Sequence, residues 1–395
     1  MVKYGKLLKF PPMDNETRRL VQAIHDAPHR LVLVTAGAGT TALSDLLSVA
    51  GATRTLLEAL VPYSAEASND FLGQRPSQYV SANTAKLFAG RALTRARWLE
   101  TESLPSIGLA CTATIITDRP KKGEHRAHIA CWQPERVVWR SIVLDKGARN
   151  REGEERIVSQ LMLNTLAEAC QIPQRVTLPL LPGDRIEEEI TDFAKMTRQL
   201  LNGDFPFFGI TDSGQAITTM PTPSLILSGA FNPLHDGHLG MAHAATYLTG
   251  LPAAFELAAL NVDKPPLPPE TILDRMAQFA GRYTVLTSRA PTFLEKARLY
   301  PGCTFVVGFD TAVRILHPRY YHNNPQEMLA ALAEIQAQGC SFLVAGRLED
   351  GRFQTANELA VPDAYANLFR ALPESAFRHD ISSTELRLHR RKGSR

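Results

Sequence analysis

Charge of one sign is scarce in this sequence. Its 43 Lys and Arg nearly cancel its 40 Asp and Glu, leaving a formal net charge of +3 over 395 residues. A chain whose main partner is nucleic acid carries far more positive charge, so that partner is excluded, whereas small anionic substrates need only local cations. Cysteine is scarce as well. Cys111, Cys131, Cys170, Cys303 and Cys340 are odd in number, scattered, and form no C-x-x-C pair. No disulfide framework or zinc knuckle is expected; a reducing cytoplasmic setting is, with each thiol acting as a small buried apolar group. Long apolar runs are missing: no stretch reaches the roughly 18 residues that a spanning helix needs, and no membrane partner is expected. Met1-Val2-Lys3-Tyr4-Gly5-Lys6 leads only to a short apolar patch ending in proline, which does not make a signal peptide. Internal repeats and low-complexity tracts are absent, which excludes solenoids. What remains is a globular composition, 44% hydrophobic and 21% charged, in a length that suits two or three domains.

One stretch carries more chemistry than any other: Ser228-Gly229-Ala230-Phe231-Asn232-Pro233-Leu234-His235-Asp236-Gly237-His238. The apolar Leu225-Ile226-Leu227 precedes it and Leu239-Gly240-Met241-Ala242 follows, which predicts strand, tight glycine turn, then helix. His235 and His238, three residues apart, share one face where that helix opens. The first N–H groups of a helix lack internal partners and attract anions. Two imidazoles beside them suit a nucleoside triphosphate. A chance histidine pair in an ordinary turn is the plain alternative.

Strands and helices continue to alternate beyond it. Strands are expected at Ala254–Leu260, Thr284–Thr287, Cys303–Asp310 and Ser341–Ala345, and helices at Glu270–Gly281, Phe293–Leu299, Thr311–Leu316 and Pro325–Gly339. That is a Rossmann-like doubly wound parallel sheet, in which ligands bind at the carboxyl ends of strands where the strand order reverses.

The pattern G-x-F-x-P-x-H-x-G-H from Gly229 to His238 resembles the signature of the HxGH nucleotidyltransferases. Gly-Ala-Phe-Asn-Pro-Leu-His is most similar to the nicotinamide/nicotinate mononucleotide adenylyltransferase branch. Ile381-Ser382-Ser383-Thr384-Glu385-Leu386-Arg387 resembles the Ile-Ser-Ser-Thr-x-Ile/Leu-Arg of that branch, and Val306-Val307-Gly308-Phe309-Asp310 its Gly-x-Asp strand end. The resemblance implies transfer of AMP from ATP to a phosphorylated small molecule, foremost nicotinamide or nicotinate mononucleotide, with release of pyrophosphate. Mg²⁺ would be held through the ATP phosphates and water, with no dedicated protein metal site. His235 and His238 would be catalytic, His238 nearest the α-phosphate. Ser383, Thr384 and Arg387 would hold the β- and γ-phosphates. Ser228, Gly229, Ala230, Phe231 and Gly237 would form the nucleotide turn. Lys264 would reach phosphate or stand as a solvated loop lysine. Gly308 and Asp310 would meet a ribose or the second substrate, with Asp310 also suited to capping the next helix. Arg347 would reach nucleotide phosphate or remain a surface arginine. Phe293 is the nearest candidate for stacking the acceptor ring, and His243 and His317 are expected to be structural.

The N-terminal half is a second α/β unit. A helix over 14–29, the buried strand Leu31-Val32-Leu33-Val34, the small-residue turn Thr35-Ala36-Gly37-Ala38-Gly39-Thr40-Thr41 and a helix over Ala42–Val49 form either a phosphate cradle or plain close packing. A helix from about Asn83 to Trp98, strands near Ile107–Ala110, Ala127–Trp132 and Val137–Leu144, and a helix from about Arg151 to Cys170 complete it. The order and the Gly51-Ala52-Thr53 and Tyr63-Ser64 steps resemble the CinA C-terminal family of nicotinamide-nucleotide amidohydrolases. That resemblance places the attacking serine at Ala36 and the family lysine at Ser68, leaving only Tyr63 of the set. A methyl group cannot attack an amide, so residues 1–172 are expected to lack amidase activity and to bind a nucleotide-like ligand or assemble a homo-oligomer. Residues 173–222, with an acidic helix at Ile186–Leu201, read as a Pro-rich connector, and 223–395 as the nucleotidyltransferase domain. Rival readings are a different phosphorylated acceptor, an amidohydrolase working through the N-terminal half, and a non-catalytic nucleotide-binding regulator.

Overall fold

The computed structural model describes residues 13–119, 122–222, 224–260, 265–349 and 352–377. Two compact α/β units divide between Thr191 and Asp192. No helix among the described residues is long and apolar enough to cross a membrane.

The first unit runs α1 (Asn15–Asp26), β1 (Arg30–Ala36), α2 (Thr40–Ser48), α3 (Ala52–Thr55), β2 (Leu56–Leu60), α4 (Ala65–Leu72), α5 (Ala82–Leu99), β3 (Ser106–Thr114), β4 (His125–Gln133), β5 (Arg136–Leu144), α6 (Arg151–Ala169) and β6 (Arg185–Asp192). Asp14 starts α1 by accepting from Thr17 N at 2.7 Å, and Leu20, Val21 and Ile24 form its buried stripe. The sheet order is β2-β1-β3-β4-β5-β6. β1 is parallel to β2 and β3, and β3, β4 and β5 are antiparallel. Leu31, Leu33, Ile107, Leu109 and Ile129 bury one sheet face against Ile157, Leu161 and Leu166 of α6.

The acidic segment corrects the sequence expectation. Residues 186–201 are not one helix: β6 takes the first half and α7 (Phe193–Asn202) the second. Glu188 and Glu189 point to opposite faces, as successive strand residues must. Arg140 Nε donates to Glu188 at 2.6 Å, and Lys86 Nζ to Glu189 at 2.9 Å. Partners on both faces hold the segment extended, and Asp192 stops it by accepting from Lys195 N at 2.7 Å to cap α7. The expected connector therefore supplies the outer strand of one sheet and, beyond α7, two strands of the other.

The second unit continues with β7 (Phe207–Ile210), β8 (Ala216–Ile217), β9 (Leu225–Ser228), α8 (Asp236–Thr249), β10 (Ala253–Ala258), α9 (Pro269–Met276) with the 3₁₀ turn Ala277–Phe279, β11 (Thr284–Ser288), α10 (Phe293–Leu299), β12 (Thr304–Gly308), α11 (Phe309–Ile315), α12 (Pro325–Ala337), β13 (Ser341–Ala345), the hairpin of β14 (Arg347–Glu349) and β15 (Arg352–Gln354), and β16 (Phe369–Leu372). Its sheet order is β16-β13-β12-β9-β10-β11-β7-β8. The six strands from β16 to β11 are parallel, and β7 and β8 add an antiparallel margin. The chain steps outward from β9 to β10 and β11, then returns to place β12 on the other side of β9. The order thus reverses between β9 and β12, the place where doubly wound sheets bind their ligands. Ser-Phe-Leu-Val-Ala of β13 is apolar almost throughout, as a strand covered on both faces requires.

The five cysteines are buried and unpaired, as expected. His243 Nε2 lies 2.9 Å from Tyr283 Oη, and His317 Nδ1 accepts from Arg319 N at 3.1 Å to cap a 3₁₀ turn, so both are structural.

Candidate functional site

The turn after β9 is held from several directions. Gly229 N donates to Glu256 O of β10 at 3.0 Å. A Cβ at Gly229 would come within 2.7 Å of the Phe231 ring, which explains the glycine. Phe231, at a φ of 44°, turns its ring inward, where it is buried edge-on against Phe255 and Phe279 at centroid distances of 5.7 and 5.1 Å. Gln278 accepts from Leu234 N at 2.9 Å and donates to Phe231 O at 2.9 Å. Arg275 Nη1 donates to Ala230 O at 3.0 Å. Ala230 is exposed and Phe231 is core, so the polypeptide itself is presented at the rim.

His235 is the N-cap of the 14-residue helix α8. Its Nδ1 accepts from Gly237 N at 3.2 Å, while His238 Nδ1 accepts from His235 N at 3.4 Å. A ring nitrogen that accepts keeps its lone pair, so in both histidines the proton sits on Nε2. Their rings lie 3.8 Å apart at 31°, and His238 meets the Phe231 ring edge-on at 5.1 Å. The two imidazoles thus stand together at a helix N-terminus, each with its Nδ1 turned to a backbone N–H.

The other expected site residues divide into three groups. Ser228 ends β9 opposite Glu256, and its Oγ is buried with no hydrogen-bond partner among the described residues. Gly237 is buried in the first turn of α8. Gly308 ends β12 and is itself the N-cap of α11, so Asp310 lies inside the first turn; the expectation that Asp310 caps this helix is corrected. Asp310 instead pairs with Arg347, which follows β13, and the two half-exposed side chains bridge adjacent strand ends. Phe293 is partly buried and packs edge-on against Phe305 and Phe342 at 5.4 and 5.5 Å. Lys264, Ser383, Thr384 and Arg387 lie outside the described residues.

Sequence reasoning missed Arg275 and Gln278, which come from α9 and its 3₁₀ extension and reach the turn only through the fold. It also missed a buried pair beside the turn. Lys296 Nζ donates to both oxygens of Glu256 at 2.7 Å and to Ala290 O at 2.9 Å, and Ser288 Oγ donates to Glu256 at 2.6 Å. A glutamate within Ala-Phe-Glu-Leu-Ala was the available signal, since a charge on a buried strand demands a partner.

The first unit carries a second candidate. A cleft of about 290 Å³ is lined by Ala36, Gly37, Tyr63, Ser64, Ala65, Ser68, Tyr79, Val80, Phe88, Thr112 and Ala113. Ala36, Tyr63 and Ser68, separated in sequence, therefore share one cleft. Ser68 Oγ donates to Pro62 O at 2.9 Å, and among the described residues no histidine or lysine lines the walls to activate a hydroxyl. The Gly-rich turn beside it has the strand–turn–helix form of a phosphate cradle. Glu155 of α6 fills it, accepting from Gly39 N at 2.9 Å and Thr41 N at 3.0 Å.

No family model and no curated protein matches the chain. Solved structures of the CinA superfamily are similar to about two-fifths of it. The competence/damage-inducible protein CihA from Agrobacterium tumefaciens is 20% identical, with a TM-score of 0.32, over 41% of this chain and 99% of that one. A CinA-superfamily protein from Klebsiella pneumoniae is 15% identical, with a TM-score of 0.31, over 40% and 96%. One from Escherichia coli is 17% identical, with a TM-score of 0.30, over 42% and 94%.

Proposed function

We propose that the second unit is a nucleotidyltransferase that moves AMP from ATP to a phosphorylated small molecule, with nicotinamide or nicotinate mononucleotide as the best-matched acceptor, releasing pyrophosphate. The observation that carries this reading is the histidine pair, whose Nδ1 atoms are engaged by backbone N–H groups at the start of α8. Nucleotidyl transfer needs such donors. The attacking phosphate oxygen is already ionised, so no strong base is required. The barrier lies in bringing anions together and in the charge that develops at the α-phosphate and leaving pyrophosphate. Donors fixed before the reaction lower it without reorganising. In this reading His238 meets the α-phosphate and His235 the neighbouring one. Mg²⁺ arrives on the triphosphate. Ser383, Thr384 and Arg387 complete the phosphate contacts on the strength of the sequence resemblance. Arg347 leaves Asp310 for a phosphate, and Asp310 is then able to accept from a ribose hydroxyl.

The first unit is read as non-hydrolytic, because Ala36 stands where an attacking hydroxyl is required and Ser68 where the lysine is.

The test is a panel assay. Purified full-length protein is given ATP or CTP with several phosphorylated acceptors, and pyrophosphate and ammonia are scored separately. The reading expects pyrophosphate with ATP and a pyridine mononucleotide. Its absence with every acceptor overturns the transferase, and ammonia released from nicotinamide mononucleotide overturns the non-hydrolytic reading.

A further inference from the structure

A buried charge pair is a poor source of stability. Taking two charges out of water offsets most of their attraction, and apolar residues of the same volume do as well or better. What a Lys–Glu pair supplies that apolar packing does not is direction. Lys296 of α10 and Glu256 of β10 are both buried. An ammonium has three donors. Those of Lys296 go to Glu256 Oε1 and Oε2 at 2.7 Å and to Ala290 O at 2.9 Å. Ser288 Oγ donates to Glu256 Oε1 at 2.6 Å and accepts from Ala290 N at 3.2 Å. Both backbone groups of Ala290, in the loop between β11 and α10, are therefore held by side chains of one network.

The other end of that network is the nucleotide turn. β9, β10 and β11 are neighbours in the sheet, and Ser228, Glu256 and Leu286 stand side by side in register. Glu256 O accepts from Gly229 N at 3.0 Å. Ser228 Oγ has no partner among the described residues, so that hydroxyl does not anchor the turn; the Glu256 peptide does. Arg275 and Gln278 grip the turn further along, at Ala230, Phe231 and Leu234. Glu256 thus joins the turn through its peptide and the loop after β11 through its carboxylate. Turn and loop both stand at the carboxyl ends of parallel strands, where ligands bind, two strand spacings or roughly 10 Å apart.

We propose that Lys296, acting through Glu256 and Ser288, is a positioning residue: it fixes the turn from Gly229 to His238 against the loop after β11, and so aligns the phosphate-facing groups for nucleotidyl transfer. This deepens the transferase reading and rests on it. Lys296 touches no substrate. Its contribution is geometry that counts at the transition state, where a displacement of about 1 Å can cost 10²-fold in rate.

Three full-length variants test this: Ser288→Ala, Lys296→Met, and Lys296→Met combined with Glu256→Leu. In each, kcat for pyrophosphate formation from ATP and a pyridine mononucleotide should fall about tenfold or more, with each KM changed by less than about threefold. The double variant separates positioning from stability. It should melt near the wild-type temperature, since apolar replacement of a buried pair is often near neutral, yet remain slow. A merely structural pair would recover rate together with stability. Hydrogen exchange read by mass spectrometry follows the same geometry without any reaction. Peptides within residues 225–238 and 288–292 should exchange about tenfold faster in the double variant, and those of α12 should not change. Wild-type kcat in the double variant, unaltered exchange at the turn and loop, or equal acceleration in α12 would each overturn the inference. If Lys296→Met does not fold, Ser288→Ala, which leaves the ion pair in place, carries the same comparison. A wild type that forms no pyrophosphate overturns the transferase reading instead, and the exchange rates alone then decide whether Lys296 holds the turn.

Discussion

Gly39 N donates to both carboxylate oxygens of Glu155, 116 residues away, at 2.9 and 3.0 Å. Thr41 N, Thr40 Oγ1 and Ser159 Oγ converge on the same carboxylate at 3.0, 3.1 and 3.2 Å. The protein thus supplies its own anion to a turn shaped for one. Glu155→Ala should cost about 1–3 kcal/mol, the range for stranding buried donors. Thermal unfolding with and without inorganic phosphate would measure it. Phosphate should raise the Tm of the variant more than that of the wild type; equal shifts would mean that the turn does not bind anions.

The histidine pair yields a kinetic prediction. His238→Ala should lower the rate of pyrophosphate formation by about 10²-fold or more, as loss of a preorganised donor does, with the melting temperature little changed.

Lys296 and Glu256 are 3% and 0% exposed, which makes their coupling measurable. Lys296→Met strands a buried carboxylate and should destabilise the protein by about 3–5 kcal/mol. Adding Glu256→Leu should recover most of that loss, since replacing a buried pair by apolar groups is often near neutral. Denaturant unfolding of the two single variants and the double gives the coupling. Additive losses would show that the pair does not act as a unit.

His128 sets a pH dependence. Burial, with a smaller contribution from Arg126, lowers its pKa from 6.5 to about 4. The unfolded chain therefore takes up this proton more readily than the folded one. The stability at stake is intact above about pH 6.5 and is lost as the pH falls toward 4. Burial lowers His25 and His29 in the same direction. His128→Phe keeps a ring on Trp139, against which His128 stacks at 5.9 Å. It should lose less Tm than the wild type between pH 7 and pH 5; an identical loss would place the titration elsewhere.

Legibility followed burial. α10 at Phe293–Leu299 and β13 at Ser341–Ala345 fall where the apolar pattern put them, because both are packed into the core. β6 was illegible because its side chains are almost all exposed, and no apolar alternation marks a strand whose partners are Arg140 and Lys86. The histidine turn stood out because glycine, proline and histidine are locally demanding. The hold of Arg275 and Gln278 on it did not, since it exists only when α9 returns to the rim of β9. Asp310 shows the same limit: the residue was singled out, but its engagement with Arg347 joins two strand ends 37 positions apart.

The exposed β6 also bears on how the protein avoids its own kind. An outer strand leaves a row of backbone groups open to another sheet, a common route to aggregation. Glu187, Glu188 and Glu189 stand in the middle of this one. In an antiparallel match of two copies centred on Glu188, Glu187 of each would face Glu189 of the other, and like charges directly opposite are unfavourable. One margin of the other sheet is β8, only two residues long and too brief a template to copy. Edge-to-edge growth is thus opposed by charge at β6 and by shortness at β8.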